Sequence, residues 1–413
     1  MSHPRRSRRS RVIGWDFRPP HCPNRDCTFY TPQTGWVWRK TGSFRRLYDS
    51  TRFQCFQCPH CGRYFSVRTF AGDYWLKRRD LLQPIARWAP EGPGLRQTAR
   101  QFGVSHATVQ RHLARAGRQA LLFHRMRIAD RPPCEPIVLD GFETFEFSQY
   151  FPFHLNLAVG AESWFLYGFT DSPLRRKGRM TATQKRRRAQ LESALGRPDP
   201  KAVETGVMAL IRPLLDGRVK SDLAAETFRS HLDNESGRTP RCQEPDDAPL
   251  LPRDRIRIHS DDHPAYRRAL RRLEAETGVS FDHRVTSSRA RRTTSNPLFP
   301  VNLADLLLRH GQANHRRETI AFSKRRQGAI SRAALFLFWR NYVKRRREKR
   351  CGETAAMAAG YARTPLGWEA LLRERKFPRR SLLPGPWWGY YWHQVRTAAL
   401  GDRQTEHRLR FAF

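Results

Sequence analysis

The sequence is short of acidic residues, of lysine and of long apolar runs. Its 413 residues hold 38 Asp and Glu against 77 Lys and Arg, so the formal net charge is +39, and only ten of the 77 are lysine. This surplus exceeds what solubility requires and indicates an extended polyanion as the partner. A sequence pI near 11.3 favours nucleic acid over a small acidic substrate.

The lack of apolar runs excludes a further class of protein. The longest run, from Ala333 to Trp339, is far short of the ~20 residues that a membrane-spanning helix needs, and the mean hydropathy is −0.73. The basic start of the chain is followed by no apolar stretch, so it is not a secretory signal. We therefore expect a cytoplasmic protein without a membrane partner. Hydrophobic residues make up 39% of the chain, which argues against disorder, and the length predicts two or three domains.

Cysteines are isolated after residue 61 but clustered before it. A cluster in a chain without a secretory signal favours metal binding over disulfides. Paired cysteines at short spacing supply the four tetrahedral ligands of a closed structural zinc site. We predict a zinc ribbon at residues 15–75, with short strands at 35–38 and 45–53 and one Zn²⁺ held by Cys22, Cys27, Cys58 and Cys61. A fifth cysteine, Cys55, could replace Cys58 or be a spare.

The next segment, residues 76–128, fits a helix-turn-helix DNA-binding domain. Ala99 is small where two helices would cross, Gly103 suits the turn, and Ser105 can cap the second helix. That helix would present four side chains to a major groove: His106, Thr108, Gln110 and Arg111.

Two apolar strands in the central segment end on acids. The first, at residues 136–141, has Asp140 near its end, and the second, at residues 255–262, ends on Asp261 and Asp262. The alternation of strands and helices predicts a mixed α/β sheet of the ribonuclease H type at 133–345, in which acids at the ends of neighbouring strands converge. Such carboxylates suit two Mg²⁺ or Mn²⁺ ions ~3.5–4 Å apart, an arrangement that cleaves phosphodiesters. The fold class is thus multidomain α+β.

These motifs, in this order, resemble those of DDE-type insertion-sequence transposases with an N-terminal zinc ribbon and helix-turn-helix. Besides the helix-turn-helix, the resemblance rests on four segments: residues 58–65, 138–140, 259–266 and 316–325. It covers roughly residues 15 to 345. It implies a ribonuclease H-like catalytic domain, recognition of the ends of a mobile element, and two-metal strand transfer. It also implies DNA contacts by the late basic residues Arg316, Arg317, Lys324 and Arg325.

The third acid departs from the family pattern. The family has Glu in an Asn-x-x-Glu context, whereas the matching stretch here, Asn302 to Asp305, ends on Asp. Glu318 is the rival. The two acids are 13 residues apart, about 20 Å along a continuous helix, so both cannot bind one metal pair. We favour Asp305 as the third catalytic acid with Asp140 and Asp261, and the resemblance favours Asp261 over its neighbour Asp262.

Other groups leave alternatives open. Four histidines near the predicted site, which are His259, His263, His310 and His315, either assist catalysis or bind phosphate, or have only structural roles. The basic, aromatic-rich C-terminal region, residues 346–413, contains aromatics that would stack on unpaired bases, form a small core or make a subunit contact.

The sequence therefore predicts a DNA transposase that binds the ends of its element and performs metal-dependent phosphodiester cleavage and strand transfer into target DNA. The partners are double-stranded DNA and further copies of the chain, as a homodimer or higher oligomer, because two ends must be held together. No ATP is needed, and the expected location is the nucleoid of a prokaryotic cytoplasm. The alternatives are a non-catalytic or domesticated DNA-binding regulator and a stand-alone nuclease.

Overall fold

A computed structural model describes residues 12–47, 50–129, 131–219, 255–316, 319–347, 352–378 and 383–403. By internal contacts these residues form two units, one of residues 12–79 with 372–378 and one of residues 80–371 with 383–403. Both units contain a sheet, so the chain is a mixed α/β protein. The helices predicted as a separate domain at 76–128 pack within the second unit, and the four predicted domain ranges stay a prediction.

The first unit is built on a three-stranded antiparallel sheet in the order β1 (Arg39–Arg45), β2 (Arg52–Gln57) and β3 (Tyr64–Ser66). The strands predicted at 35–38 and 45–53 were therefore wrong in position. All residues of β1 are exposed, so the strand has no apolar alternation that a sequence could display. Backbone pairing with β2 holds it instead. Four phenylalanines pack the core of this unit around the cysteines: Phe56, Phe65, Phe70 and Phe377.

The second unit is built on a five-stranded mixed sheet in the order β6-β5-β4-β7-β8. The strands are β4 (Ile137–Phe145), β5 (Pro152–Gly160), β6 (Leu166–Pro173), β7 (Arg255–Ser260) and β8 (Ser280–Val285). The first three form an antiparallel meander, and β7 and β8 run parallel to β4. Residues 161–165 join β5 and β6, with a turn at 161–163.

Eleven α-helices occur among the described residues, mostly in the second unit. They are α1 (Leu82–Trp88), α2 (Leu95–Gln101), α3 (His106–Ile128), α4 (Ala182–Leu195), α5 (Ala202–Val219), α6 (Pro264–Thr277), α7 (Phe299–Gly311), α8 (Arg326–Phe338), α9 (Ala355–Ala358), α10 (Trp368–Leu372) and α11 (Gly385–Tyr391). A π turn, Trp339–Val343, continues α8. No helix that the structure describes is both long and apolar enough to cross a membrane.

The two faces of the large sheet are covered by different helices. On one face α5 packs against β5 and β6, and α6 packs on α5. Gly206 of α5 is needed there, because a Cβ at this position would come 2.3 Å from Ser172 Oγ. On the other face α7 packs against β4 and β5, while α8 packs against β6 and α3. The antiparallel part of the sheet is therefore covered on both faces, whereas β7 alternates buried residues with exposed or half-buried ones.

The turn between α2 and α3 has the local geometry that its sequence predicts. Gly103 has a φ of +60°, a region that favours glycine, between α2 and α3. Ser105 caps α3, since its side chain accepts a hydrogen bond from the Thr108 N–H. The helix then continues well beyond the motif, and its second half is buried against α8 through residues such as Leu121 and Leu122.

Three of the C-terminal aromatics belong to the core of the second unit. The Trp387 indole N–H donates to the Phe169 carbonyl at 2.8 Å, and the Tyr390 hydroxyl donates to Asp171 Oδ1 at 2.6 Å. Both aromatic side chains and that of Tyr391 are buried. Of the three roles considered from the sequence, these residues thus take that of a core.

Candidate active site and metal centre

The cysteines converge as the spacing predicted. The Sγ atoms of Cys22, Cys27, Cys58 and Cys61 all lie within 4.8 Å of one another. Two of the pairs are 3.6 Å (Cys22–Cys61) and 3.9 Å (Cys27–Cys58) apart. Four thiolates at such distances match a closed tetrahedral site, so this set could bind a structural metal such as zinc.

The fifth cysteine lies apart from that set. Cys55 is on β2, where its Sγ is 3.8 Å from the Phe53 carbonyl oxygen. Burial raises the pKa of its thiol. Burial also raises the pKa of Cys22, whereas hydrogen bonds from the Arg63 backbone and other groups outweigh burial and lower the pKa of Cys61 to about 7. The structure therefore leaves Cys55 as the spare thiol.

Strand register brings two of the predicted acids side by side. Leu139 of β4 pairs with Ser260 of the parallel strand β7, so the next residues, Asp140 and Asp261, lie side by side on adjacent backbone segments. Adjacent strands of a sheet are about 4.8 Å apart. The prediction that the first strand ends on its acid was wrong: β4 runs on to Phe145, and Asp140 lies in its interior beside the end of β7. Gly141 lies within the strand, where it pairs with Asn156 of β5.

The predicted third acid lies on the helix that covers this part of the sheet. Alternation along β4 places Asp140 on the same face as Phe142, whose ring packs edge-on against His315 just after α7. Asp305 is on α7, which packs on β4. Its Oδ1 is buried and has no hydrogen-bond partner. The rival Glu318 and the predicted DNA contact Arg317 lie outside the described residues.

The acids act on one another electrostatically. Burial, with the charge of Asp261 added, raises the pKa of Asp140 from 3.8 to about 6, against the opposing effects of the Gly141 N–H and Arg292. Burial and the charge of Asp140 raise the pKa of Asp305 well above its ordinary value. Burial is the main cause that raises the pKa of Tyr266, and the charges of all three acids add to it. Tyr266 and Arg292 thus interact electrostatically with these acids, although the sequence assigned them no role there.

The carboxylates form a looser group than the cysteines. Within the described ranges, only the cysteine set has three or more ligand atoms all within 4.8 Å of one another, so the three aspartates are spaced more widely. Their chemistry nevertheless fits a hard divalent cation. The group is all-oxygen, its like charges repel, and one buried oxygen lacks a partner.

Asp262 and the four histidines that the sequence placed near the acids differ in exposure and in their hydrogen bonds. Asp262 is exposed and 3.5 Å from Ser288 Oγ. His263 caps α6 through its ring nitrogen, and His315 is buried with its Nδ1 3.1 Å from Thr144 Oγ1, where burial lowers its pKa to about 3. His310 is exposed, whereas His259 Nδ1 is buried without a hydrogen-bond partner.

The predicted DNA-contacting residues are largely open to solvent. On α3, His106, Gln110 and Arg111 are exposed and Thr108 is half-buried. Three residues of the late basic segment are exposed as well: Arg316, Lys324 and Arg325.

One buried ionic cluster was missed altogether. Arg326 Nε lies 3.1 Å from Glu146 Oε1, and Arg326 also reaches Asp171 at 3.2 Å. The Thr397 hydroxyl donates to the other oxygen of Glu146. These groups are up to 251 residues apart in sequence, so no local pattern could have found them.

No protein-family model matches this chain, and no curated protein matches it either.

Proposed function

We propose that the chain is a DDE-type DNA transposase with a ribonuclease H-like catalytic domain. The carrying observation is the register of β4 and β7, which sets Asp140 beside Asp261 under a helix that bears Asp305. The large sheet has three antiparallel strands followed in the chain by two parallel ones. Its acids lie on the first strand, just after the fourth, and on the helix after the fifth, and this order supports the assignment.

The modules before the sheet support DNA binding. The four cysteines with their three short strands suit a zinc ribbon, in which one Zn²⁺ stabilises the fold. The capped helix α3, with exposed polar and basic residues on its first turns, suits insertion into a major groove. Two element ends must be held at once, so the working form is a homodimer or larger assembly on DNA.

The proposed roles of the acids follow from their surroundings. Asp140, Asp261 and Asp305 would hold two Mg²⁺ or Mn²⁺ ions, which activate the attacking oxygen and stabilise the leaving oxygen of a phosphodiester. Arg292, whose charge acts on Asp140 and Asp305, keeps positive charge beside the site. Burial of the carboxylates limits their hydration, so they bind cations in a preorganised setting. The exposed Arg316, Lys324 and Arg325 would bind DNA phosphates nearby.

The experiment uses a supercoiled plasmid that carries the chain's own coding sequence with its natural flanking DNA. The purified full chain with Mg²⁺ or Mn²⁺ is expected to nick this DNA and join the 3′ ends to a second plasmid. Asp140→Asn, Asp261→Asn and Asp305→Asn should each remove both products. Matched controls are Asp262→Asn, the exposed neighbouring acid, and Glu143→Gln, an exposed acid on β4. Products that persist in Asp140→Asn or Asp261→Asn would overturn the proposal.

A second candidate function is a non-catalytic DNA-binding regulator. It is favoured by the spacing of the three aspartates, which is wider than that of the cysteine set. The same assay separates the two, because a regulator would bind the flanking DNA with no metal-dependent cleavage. A stand-alone nuclease would instead cut the plasmid without joining its 3′ ends.

A further inference from the structure

Helix α4 is a 14-residue helix with no buried residue. A helix that is polar on all sides has no apolar face with which to pack, so something other than a core must hold it and use it. Its start is held by a reciprocal capping box between Thr181 and Gln184. Its other support is a cluster of ion pairs around Glu192.

Glu192 takes up part of the positive charge in this region. Arg175 Nε lies 2.8 Å from it, Arg197 Nε 3.1 Å and Arg188 Nε 3.4 Å. The hydrogen bond from Arg175 and the neighbouring arginine charges lower the pKa of Glu192, so it is ionised at neutral pH. The one acid of the helix is thus already shared by three arginines.

The remaining basic side chains of α4 face solvent. Lys185, Arg186 and Arg187 are exposed and make no ion pair with any residue that the structure describes. Residues 174–201 as a whole carry ten Lys and Arg against two acids. This is a strongly positive surface, with a formal surplus of eight positive charges.

The lead-in to α4 connects this surface with the region of the acidic site. Arg176 donates to the Gln149 backbone carbonyl at 3.1 Å, and its guanidinium lies over the Tyr150 ring in the loop between β4 and β5. The pKa of His154 is lowered to about 4, chiefly by burial and then by the charges of His263 and Lys177. The His154 ring lies over Gly141, the residue after Asp140, so Lys177 acts on a side chain close to the backbone of the acidic site.

We propose that α4 is a DNA-binding surface that contacts the phosphate backbone of double-stranded DNA without sequence preference. This inference rests on the proposed function for its purpose, which is to hold target DNA beside the acids. Long flexible Lys and Arg side chains bind phosphates through charge and carry no base readout. A membrane surface needs an apolar helix face, and a protein interface is typically centred on aromatic or apolar residues. Helix α4 has neither an aromatic residue nor a buried one.

The test measures the salt dependence of binding to a 30-bp duplex of random sequence by fluorescence anisotropy. The full chain is compared with the double variant Arg186→Gln/Arg187→Gln, because Gln keeps a helix propensity close to that of Arg. Each phosphate contact contributes about −0.9 to the slope of log K against log[salt], so two lost contacts reduce its magnitude by about 1.8. Between 50 and 200 mM salt, the wild type should then lose about tenfold more affinity than the variant.

The matched control is Arg267→Gln/Arg271→Gln. These arginines are also exposed on a helix, α6, and make no ion pair with a described residue. The control removes the same net charge and should leave the slope unchanged. Equal slopes in wild type and α4 variant, or an equal decrease in the control, would overturn the inference. So would a change seen only in binding to anionic phospholipid vesicles or in self-association.

The two proposals fail in different ways. If the wild-type chain gives no strand-transfer product but the α4 variant lowers the salt slope, the proposed function fails and the α4 surface stands. If strand transfer occurs and the slope does not change, the reverse holds. Circular dichroism of both double variants checks that α4 and α6 remain folded.

Discussion

Replacing Asp140 by Asn should stabilise the second unit at neutral pH while removing the proposed metal site. Asp140 is largely buried, and burial is the main cause that raises its pKa from 3.8 to about 6. The change removes a negative charge that is poorly solvated and close to that of Asp261. Asn keeps the shape of the side chain, and its carbonyl oxygen can still accept the Gly141 N–H, which now donates to Asp140 Oδ1 at 2.7 Å.

The sign and size of the effect follow from proton linkage. An acid with a raised pKa in the folded state binds its proton more tightly when folded, so its favourable contribution is complete below pH 3.8. That contribution is lost as the pH rises through about 6. At 1.36 kcal/mol per pKa unit, the difference between the unfolded and folded pKa values of Asp140 corresponds to about 3 kcal/mol of stability at pH 7.5. Asn does not titrate, so the variant avoids this loss.

Hydrogen exchange of the β4 amides in EDTA reports the opening of the five-stranded sheet itself. At pH 7.5 the opening free energy of Asp140→Asn should exceed that of the wild type by about 3 kcal/mol, and at pH 4.0 the two should agree within about 1 kcal/mol. Glu143→Gln, an exposed change on the same strand, should show no such difference between the two pH values. A wild type that is as stable as the variant at pH 7.5 would refute the assigned burial of charge at Asp140.

Two further predictions concern the remaining clusters. Cys58→Ser should lose bound zinc, measured by atomic emission, and lower the thermal stability of the first unit, whereas Cys55→Ser should retain the metal because its thiol lies outside the four-cysteine set. Equal zinc loss in both variants would contradict that ligand set. Glu146→Gln should cost about 3 kcal/mol in urea unfolding because it leaves the charge of Arg326 buried with one partner fewer, whereas Glu353→Gln, in an exposed pair with Arg346, should cost less than about 1 kcal/mol. Similar losses of unfolding free energy in these two variants would show that the buried pair contributes no more to stability than the other pair.

The four-cysteine set was predictable because its geometry is local. Cys22 and Cys27, and likewise Cys58 and Cys61, are each brought together by one tight turn, and turn spacing is visible in a sequence. The choice between Cys55 and Cys58 was not visible, because it depends on where β2 ends. β2 ends at Gln57, so Cys58 falls in the turn and Cys55 stays in the strand.

The acids illustrate how far strand patterns reach. Apolar runs before Asp140 and Asp261 predicted two strands, and their parallel pairing sets the acids side by side. The extension of β4 to Phe145 was missed because the apolar run stops before Asp140, whereas pairing with β5 continues to Phe145. The ion pair of Glu146 with Arg326 joins residues 180 positions apart and depends entirely on tertiary packing, which no periodicity encodes.

Burial changes what the net charge of +39 means. The sequence treats every arginine as a contribution to a DNA-binding surface, but several described arginines are buried: Arg115, Arg326, Arg332 and Arg340. Arg326 compensates Glu146 and Asp171 in the core, and burial lowers the pKa of Arg332 to about 10. Such residues would release no counterions from DNA, so the salt dependence of the proposed DNA binding should be weaker than the net charge suggests. What remains is the exposed, unpaired subset, and on α4 that subset lies on a helix with no packing role. The contrast between Arg326 and Arg186 therefore separates charge that stabilises the fold from charge available to DNA.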